Sequence, residues 1–145
     1  MKLKVVKKAF PIEFDTGDKA VIYFNPNDPE LAVRLKRFKK QAEERAKEIK
    51  GVTLSDDGTP TEDQSAEVIE AFGQMIDIVK DELDKAFGAD ISKEVFKHCS
   101  PFAMIDGEYF LIQFLEAITP EIQKATQQAR KVSEKKMNKY LAEVE

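Results

Sequence analysis

The apolar residues of this 145-residue chain change period once, and that change limits the folds open to it. Up to residue 24 they alternate: Phe10, Ile12 and Phe14 fall on one face, with Glu13 and Asp15 on the other. Thr16-Gly17-Asp18 is a turn whose glycine can take positive φ, and Ala20 to Phe24 is a second β-prone run, so a hairpin is expected over about residues 1–25. Leu3 to Val6 could lengthen it. A lone hairpin is only marginally stable in water, so it must pack on helices or on another chain. Asn25-Pro26-Asn27-Asp28-Pro29 stops the strand, and from there to residue 145 the pattern is helical. The expected fold is therefore a single α+β domain, mainly α, with an N-terminal β-hairpin followed by four or five helices.

Asp28 is a good N-cap with Pro29 at the first helical position, predicting a helix from Pro29 to about Ile49 closed by Gly51. Leu31, Leu35, Phe38, Ala42 and Ile49 give its apolar face; Arg45 occupies the slot between the last two and breaks the pattern. Thr53 to Thr61 reads as a mobile polar loop, and Thr61 with Gln64 has capping-box spacing. The strongest stripe follows: Val68, Phe72, Met75, Ile76, Val79, Leu83 and Phe87, ended by Gly88. Asp90 or Ser92 is expected to cap a short helix through about Lys97. Asp106-Gly107 marks a turn, and Glu108 to Ile118 reads as a largely buried helix that Pro120 either kinks or ends. From Pro120 onward Ile122, Ala125, Ala129, Val132, Met137, Tyr140 and Val144 form a thin stripe on a polar helix, the pattern of a partner seam or of an extended arm. The expected core comprises Leu35, Phe38, Phe72, Ile76, Val79, Leu83, Phe110 and Phe114.

Charge is segregated although the net value is only −4. Asp28 to Lys50 holds eight Lys/Arg against five Asp/Glu, and Gly51 to Asp90 holds two Lys against eleven Asp/Glu. Such a division can pair segments within a fold, pair subunits, or solvate two faces. Asp77, Asp81 and Asp84 share one helical face, expected opposite the apolar stripe and open to solvent or to a protein partner. The cluster of Arg34, Lys36, Arg37, Lys39 and Lys40 could neutralise phosphates, but the acidic whole and the acids directly following argue against nucleic acid.

Nothing in the chain resembles a catalytic or metal motif, and the expectation is a protein that is not an enzyme and needs no cofactor. His98 and Cys99 are the sole histidine and cysteine, and neighbours in a helix do not face each other; a buried thiol beside a surface imidazole is expected. One of each cannot hold zinc. Ser55-Asp56-Asp57-Gly58 lacks the alternating oxygen ligands and closing Glu of a calcium loop. A single cysteine allows no internal disulfide, the basic N-terminus is followed by no signal-like apolar run, and Tyr109 to Ile118 is too short to span a bilayer. The location expected is the cytoplasm, without membrane attachment.

The order of motifs resembles a family of small tail-assembly-chaperone-like proteins of phages and prophages of Gram-positive bacteria. The likeness is carried by a hairpin entering Tyr23-Phe24-Asn25-Pro26-Asn27-Asp28-Pro29, then Val95-Phe96, Ser100-Pro101-Phe102 before Asp106-Gly107, and Phe114-Leu115-Glu116-Ala117-Ile118-Thr119-Pro120 leading to a charged helix through Lys139-Tyr140. It implies a non-enzymatic protein that self-associates, coats the long tape-measure protein and recruits tail-tube subunits. Asp77, Asp81, Asp84, Ile122, Ala129, Val132 and Tyr140 are the candidate partner-binding residues. A structural virion or tail component and an acidic adaptor that binds a host protein are the alternative classes.

Overall fold

The computed structural model describes residues 1–5, 7–49 and 66–144. Strand β1 (Lys8–Glu13) pairs antiparallel with β2 (Lys19–Phe24), with Phe10 opposite Ile22 and Ile12 opposite Ala20. The chain between them, residues 14–18, closes as expected around Gly17 at φ 89°, with Phe14 N–H donating to the Asp18 carbonyl (2.9 Å) and Gly17 N–H to the Phe14 carbonyl (2.9 Å), which leaves a three-residue loop inside the Phe14–Asp18 pair. Hydrogen-bonded pairs alternate along such a ladder, so Phe14–Asp18 places Ile12 and Phe10 at bonded positions too. Pro11 then faces the free edge, where its missing N–H breaks no bond and blunts pairing with a further strand. Leu3 and Val5 are exposed and outside any strand; the expected lengthening through Val6 lies partly outside the described residues.

Helix α1 (Pro29–Ala46) starts as its sequence dictates: Asp28 Oδ1 accepts from Glu30 N–H at 2.9 Å and Pro29 occupies the first turn. The expected closure at Gly51, the Thr53–Thr61 loop and the Thr61/Gln64 capping box lie outside the described residues. Helix α2 (Ala66–Phe87) runs to Gly88, whose φ of 66° supplies the left-handed cap. Gly88 N–H donates to the Lys85 carbonyl and Ala89 N–H to the Asp84 carbonyl, the bond pair of a Schellman motif.

Helix α3 is shorter than expected, Ser92–Val95, and neither Asp90 nor Ser92 caps it. Asp84 does so from α2: its Oδ1 accepts from the N–H groups of Ile91 (2.9 Å) and Ser92 (2.8 Å), and its Oδ2 from Ser92 Oγ (2.8 Å). A small second hairpin, β3 (Met104–Ile105) and β4 (Glu108–Tyr109), turns at Asp106 (φ 52°) and Gly107 (φ 80°). Two consecutive positive φ values are those of a type I′ turn.

Helix α4 (Phe110–Val144) is a single helix of 35 residues, about 52 Å long. Of the two expected outcomes at Pro120, a kink or an end, the helix does not end there, and among the described residues the helices number four. Glu116, Thr119 and Pro120 are exposed, so the Glu116 carbonyl that Pro120 cannot serve lies on an exposed face of the helix. Thr119 Oγ1 donates back to the Leu115 carbonyl at 2.6 Å.

One apolar cluster draws on β1, β2, α1, α2, α3 and α4. At its centre Phe24 stacks on Phe10 (centroids 4.4 Å) and meets the edge of Phe87 (4.9 Å), which in turn touches Phe114 (5.9 Å). Phe38, Val79, Leu83 and Phe114 are buried as expected, but Leu35, Phe72, Ile76 and Phe110 are only half-buried. Helix α2 is rotated toward Ala71, Met75, Ile78, Ala86 and Phe87. Glu82 lies on this same buried face and meets Arg45 of α1.

Candidate protein-docking surfaces

The three aspartates of α2 do not form one solvent-facing surface. Asp81 Oδ2 lies 2.6 Å from Arg45 Nη1 and 3.1 Å from Lys85 Nζ. Hydrogen bonds from Arg45 and then Lys85 hold the Asp81 carboxyl below the usual carboxylate range. The same Arg45 Nη1 reaches Glu82 Oε1 at 2.8 Å, and Glu82 in turn lies 3.7 Å from Lys85 Nζ. Bonds from Glu82 and Asp81 raise Arg45 further above its ordinary value. Asp84 is occupied as the cap of α3, which corrects its expected placement on an open face. Asp77 is exposed, as is Asp81, but makes no ion pair among the described residues.

The Arg45–Glu82 pair was missed in the sequence although both residues signal it. Arg45 interrupts the apolar register of α1, and Glu82 sits one turn from Val79 and Ala86 on the apolar face of α2. An ionic residue in an apolar slot on each of two neighbouring helices is a pairing signal.

A second cluster fastens the N-terminal hairpin. Asp18 Oδ2 lies 2.8 Å from His98 Nε2 and 3.0 Å from Lys97 Nζ, and Lys97 also donates to the Lys19 carbonyl at 3.1 Å. The Lys97 bond, helped by His98 and Lys19 N–H, draws the Asp18 carboxyl down to about 2. Phe14 meets the His98 ring edge-on at 4.7 Å. His98 is thus a surface imidazole with a structural partner, while Cys99 is half-buried rather than buried, and burial pushes its thiol up. Near the start of α4, burial and the neighbouring Glu116 carboxylate raise the Glu108 carboxyl.

The residues of the last stripe separate along α4. Ala125 is buried, Ile122 and Ala129 are half-buried, and Thr126 Oγ1 donates to the Pro26 carbonyl at 3.3 Å, which ties this stretch to the end of the hairpin. From Arg130 through Glu143 every residue is exposed, including Val132 (54%), Met137 (58%), Tyr140 (63%) and Leu141 (52%). Ala129, Val132, Met137 and Tyr140 line a shallow depression along this arm. Lys124 to Val144 carries six basic residues against two acidic, and none of these side chains forms an ion pair among the described residues.

Two other surfaces bear apolar groups. A groove of about 640 Å³ between β1 and the start of α4 is lined by Phe10, Ile12, Phe14, Phe110 and Phe114. On the first half of α2, Ile69 is 58% exposed, and Phe72 and Ile76 are half-buried beside it. Among the described residues no group of three or more His, Cys, Asp or Glu could hold a metal ion, and no helix is long and apolar enough to cross a membrane. Comparison with protein-family models, with curated proteins and with solved structures gives no match for this chain.

Proposed function

We propose that this chain is a non-enzymatic, tail-assembly-chaperone-like protein that holds a helical client, the tape-measure protein, and brings tail-tube subunits to it. The supporting observation is the terminal arm: fourteen consecutive exposed residues, Arg130 to Glu143, carrying Val132, Met137, Tyr140 and Leu141 without intrachain cover. A client helix can lay an apolar face along such a seam, read at i, i+3 and i+4 spacing. Lysines beside the seam would orient an acidic or mixed-charge client and speed encounter.

The test is co-expression with the long helical product of the same gene cluster. Expected are a soluble client that co-purifies at low salt, and loss of that complex when the chain is cut after Ala129 while the remaining fold melts at nearly the same temperature. A client equally soluble with and without the protein, and no co-purification, would overturn the reading and favour a structural tail component.

A further inference from the structure

The arm of α4 and the first half of α2 each expose apolar residues, and their flanking charges are opposite in sign. At 100° per residue, Ala129, Val132, Met137 and Tyr140 share one side of the arm, with Lys136 among them, Lys135 and Lys139 along one border and Arg130 along the other. On α2, Ile69 and Ile76 lie two turns apart with Phe72 beside them. Glu70 and Asp77, also two turns apart, border that stripe on its solvent side. Both acids are exposed and form no ion pair among the described residues. Between stripe and acids sits Gly73, and a Cβ built there would meet nothing within 4 Å. A missing side chain in open space lets a second helix approach closely. Lys80, half-buried, bounds the stripe toward the C-terminal end.

We infer that the arm of one copy docks on the Ile69–Ile76 face of α2 in a second copy, reciprocally, to form a two-fold dimer. Each chain carries both a basic apolar arm and an acidic apolar receptor, so the same contact made twice closes the assembly. Reciprocity is also demanded by size. The arm from Arg130 to Val144 is about 22 Å long and a helix about 10 Å wide, so one such contact falls well short of the roughly 800 Å² per partner of a stable interface. Doubling it gives a weak, salt-sensitive dimer. The two alternatives fit less well. Arm-on-arm pairing would set lysine rows against each other, and the β1–α4 groove offers a strand edge blunted by Pro11.

This inference shares the arm with the client reading but does not rest on it, and purified protein alone tests it. Sedimentation equilibrium in about 50 mM salt should show a monomer–dimer equilibrium that weakens about tenfold or more at about 500 mM salt. E70K/D77K and K135E/K139E should each weaken the dimer about tenfold with unchanged helix content by circular dichroism, and the two pairs combined should restore it to within about threefold of the parent. A parent that stays monomeric at about 100 μM in low salt would overturn the proposal. So would a dimer lost on cutting after Ala129 yet indifferent to E70K/D77K, or a combined variant no better than either pair alone. Failure of the client test with this rescue intact would discard the client and keep the dimer.

Discussion

Replacing Arg45 by Met strips Glu82 of its main partner, and the size of the loss follows from the geometry. The Glu82 side chain is 7% exposed and its Oε1 sits 2.8 Å from Arg45 Nη1. Breaking a fully buried pair by removing one member costs about 3–5 kcal/mol, because the survivor is left charged and unsolvated. Two features reduce that here. Arg45 itself is 41% exposed, and Lys85 Nζ stays 3.7 Å from the same oxygen. The expected cost of Arg45→Met is therefore about 2 kcal/mol, a fall of roughly 4–8 °C in Tm for a chain of this size. Removing both charges should behave differently. Glu82 lies on the α2 face that buries Val79, Leu83 and Ala86, so leucine there meets apolar neighbours. R45M/E82L should recover to within about 1 kcal/mol of the parent, a coupling of at least about 1 kcal/mol in a double-mutant cycle read from urea midpoints at constant m. Losses that simply add, or an Arg45→Met cost below about 0.5 kcal/mol, would show that the pair does not fix the packing of α1 on α2.

Three further outcomes are expected. Phe24→Ala, at the centre of the ring cluster and fully buried, should cost about 3–5 kcal/mol, whereas half-buried Phe72→Ala should cost about 1–2; equal losses in chemical denaturation would contradict the observed rotation of α2. Asp84→Ala leaves the Ser92 N–H and hydroxyl without their acceptor and the Ile91 N–H with the Ala89 carbonyl alone, at about 1–3 kcal/mol, with faster amide exchange at Ser92 as the local readout. Because the folded Asp18 carboxyl is depressed to about 2 from 3.8, its contribution is fully present above the unfolded value and is lost as pH falls through the folded one. Hairpin resonances should therefore respond between about pH 4 and pH 2, and Asp18→Asn should abolish that response.

The sequence made legible whatever depends on neighbours along the chain. The hairpin turn at Gly17, the Asp28 cap with Pro29, the Gly88 stop and the Asp106-Gly107 turn each depend on residues within a few positions, and each stands where its residue types place it. What escaped depends on contacts between distant segments. The acceptor for the start of α3 is Asp84, eight positions before Ser92 and across a chain reversal, so a search for a local cap chose Asp90 or Ser92 instead. The core face of α2 was misjudged for a related reason. Its apolar residues cover about half the helix circumference, so periodicity alone leaves the rotation open, and the Arg45–Glu82 contact across to α1 lies on the face that is buried. Pro120 left a kink or an end open because its ring cannot serve the carbonyl four residues back; the helix runs on through it, with that carbonyl on an exposed face where water can serve it. For the candidate docking residues the sequence separated the arm from the core without showing where cover ends, which the structure puts between Ala125 and Arg130.

That boundary gives the arm its meaning. Beyond Arg130 the helix has no buried face, no ion pair among the described residues and few alanines to favour it intrinsically. Isolated helices shorter than about 12–15 residues are marginal in water, and those that persist rely on tertiary packing of one face. Stability therefore does not account for a stretch that exposes Val132, Met137, Tyr140 and Leu141 together. A linker does not account for it either, since a linker needs no such apolar row. On the proposed reading the arrangement serves attachment: the turns from Phe110 to Ala125 hold the base of the helix against the core, and the turns beyond extend a seam into solvent. A partner that covers the seam adds the missing tertiary packing, so ordering of the arm and binding become one event. Lysines around the seam weaken the arm while it is bare, through mutual repulsion, and strengthen it when an acidic surface arrives, so the same charges set both the cost of the uncovered state and the sign of the partner.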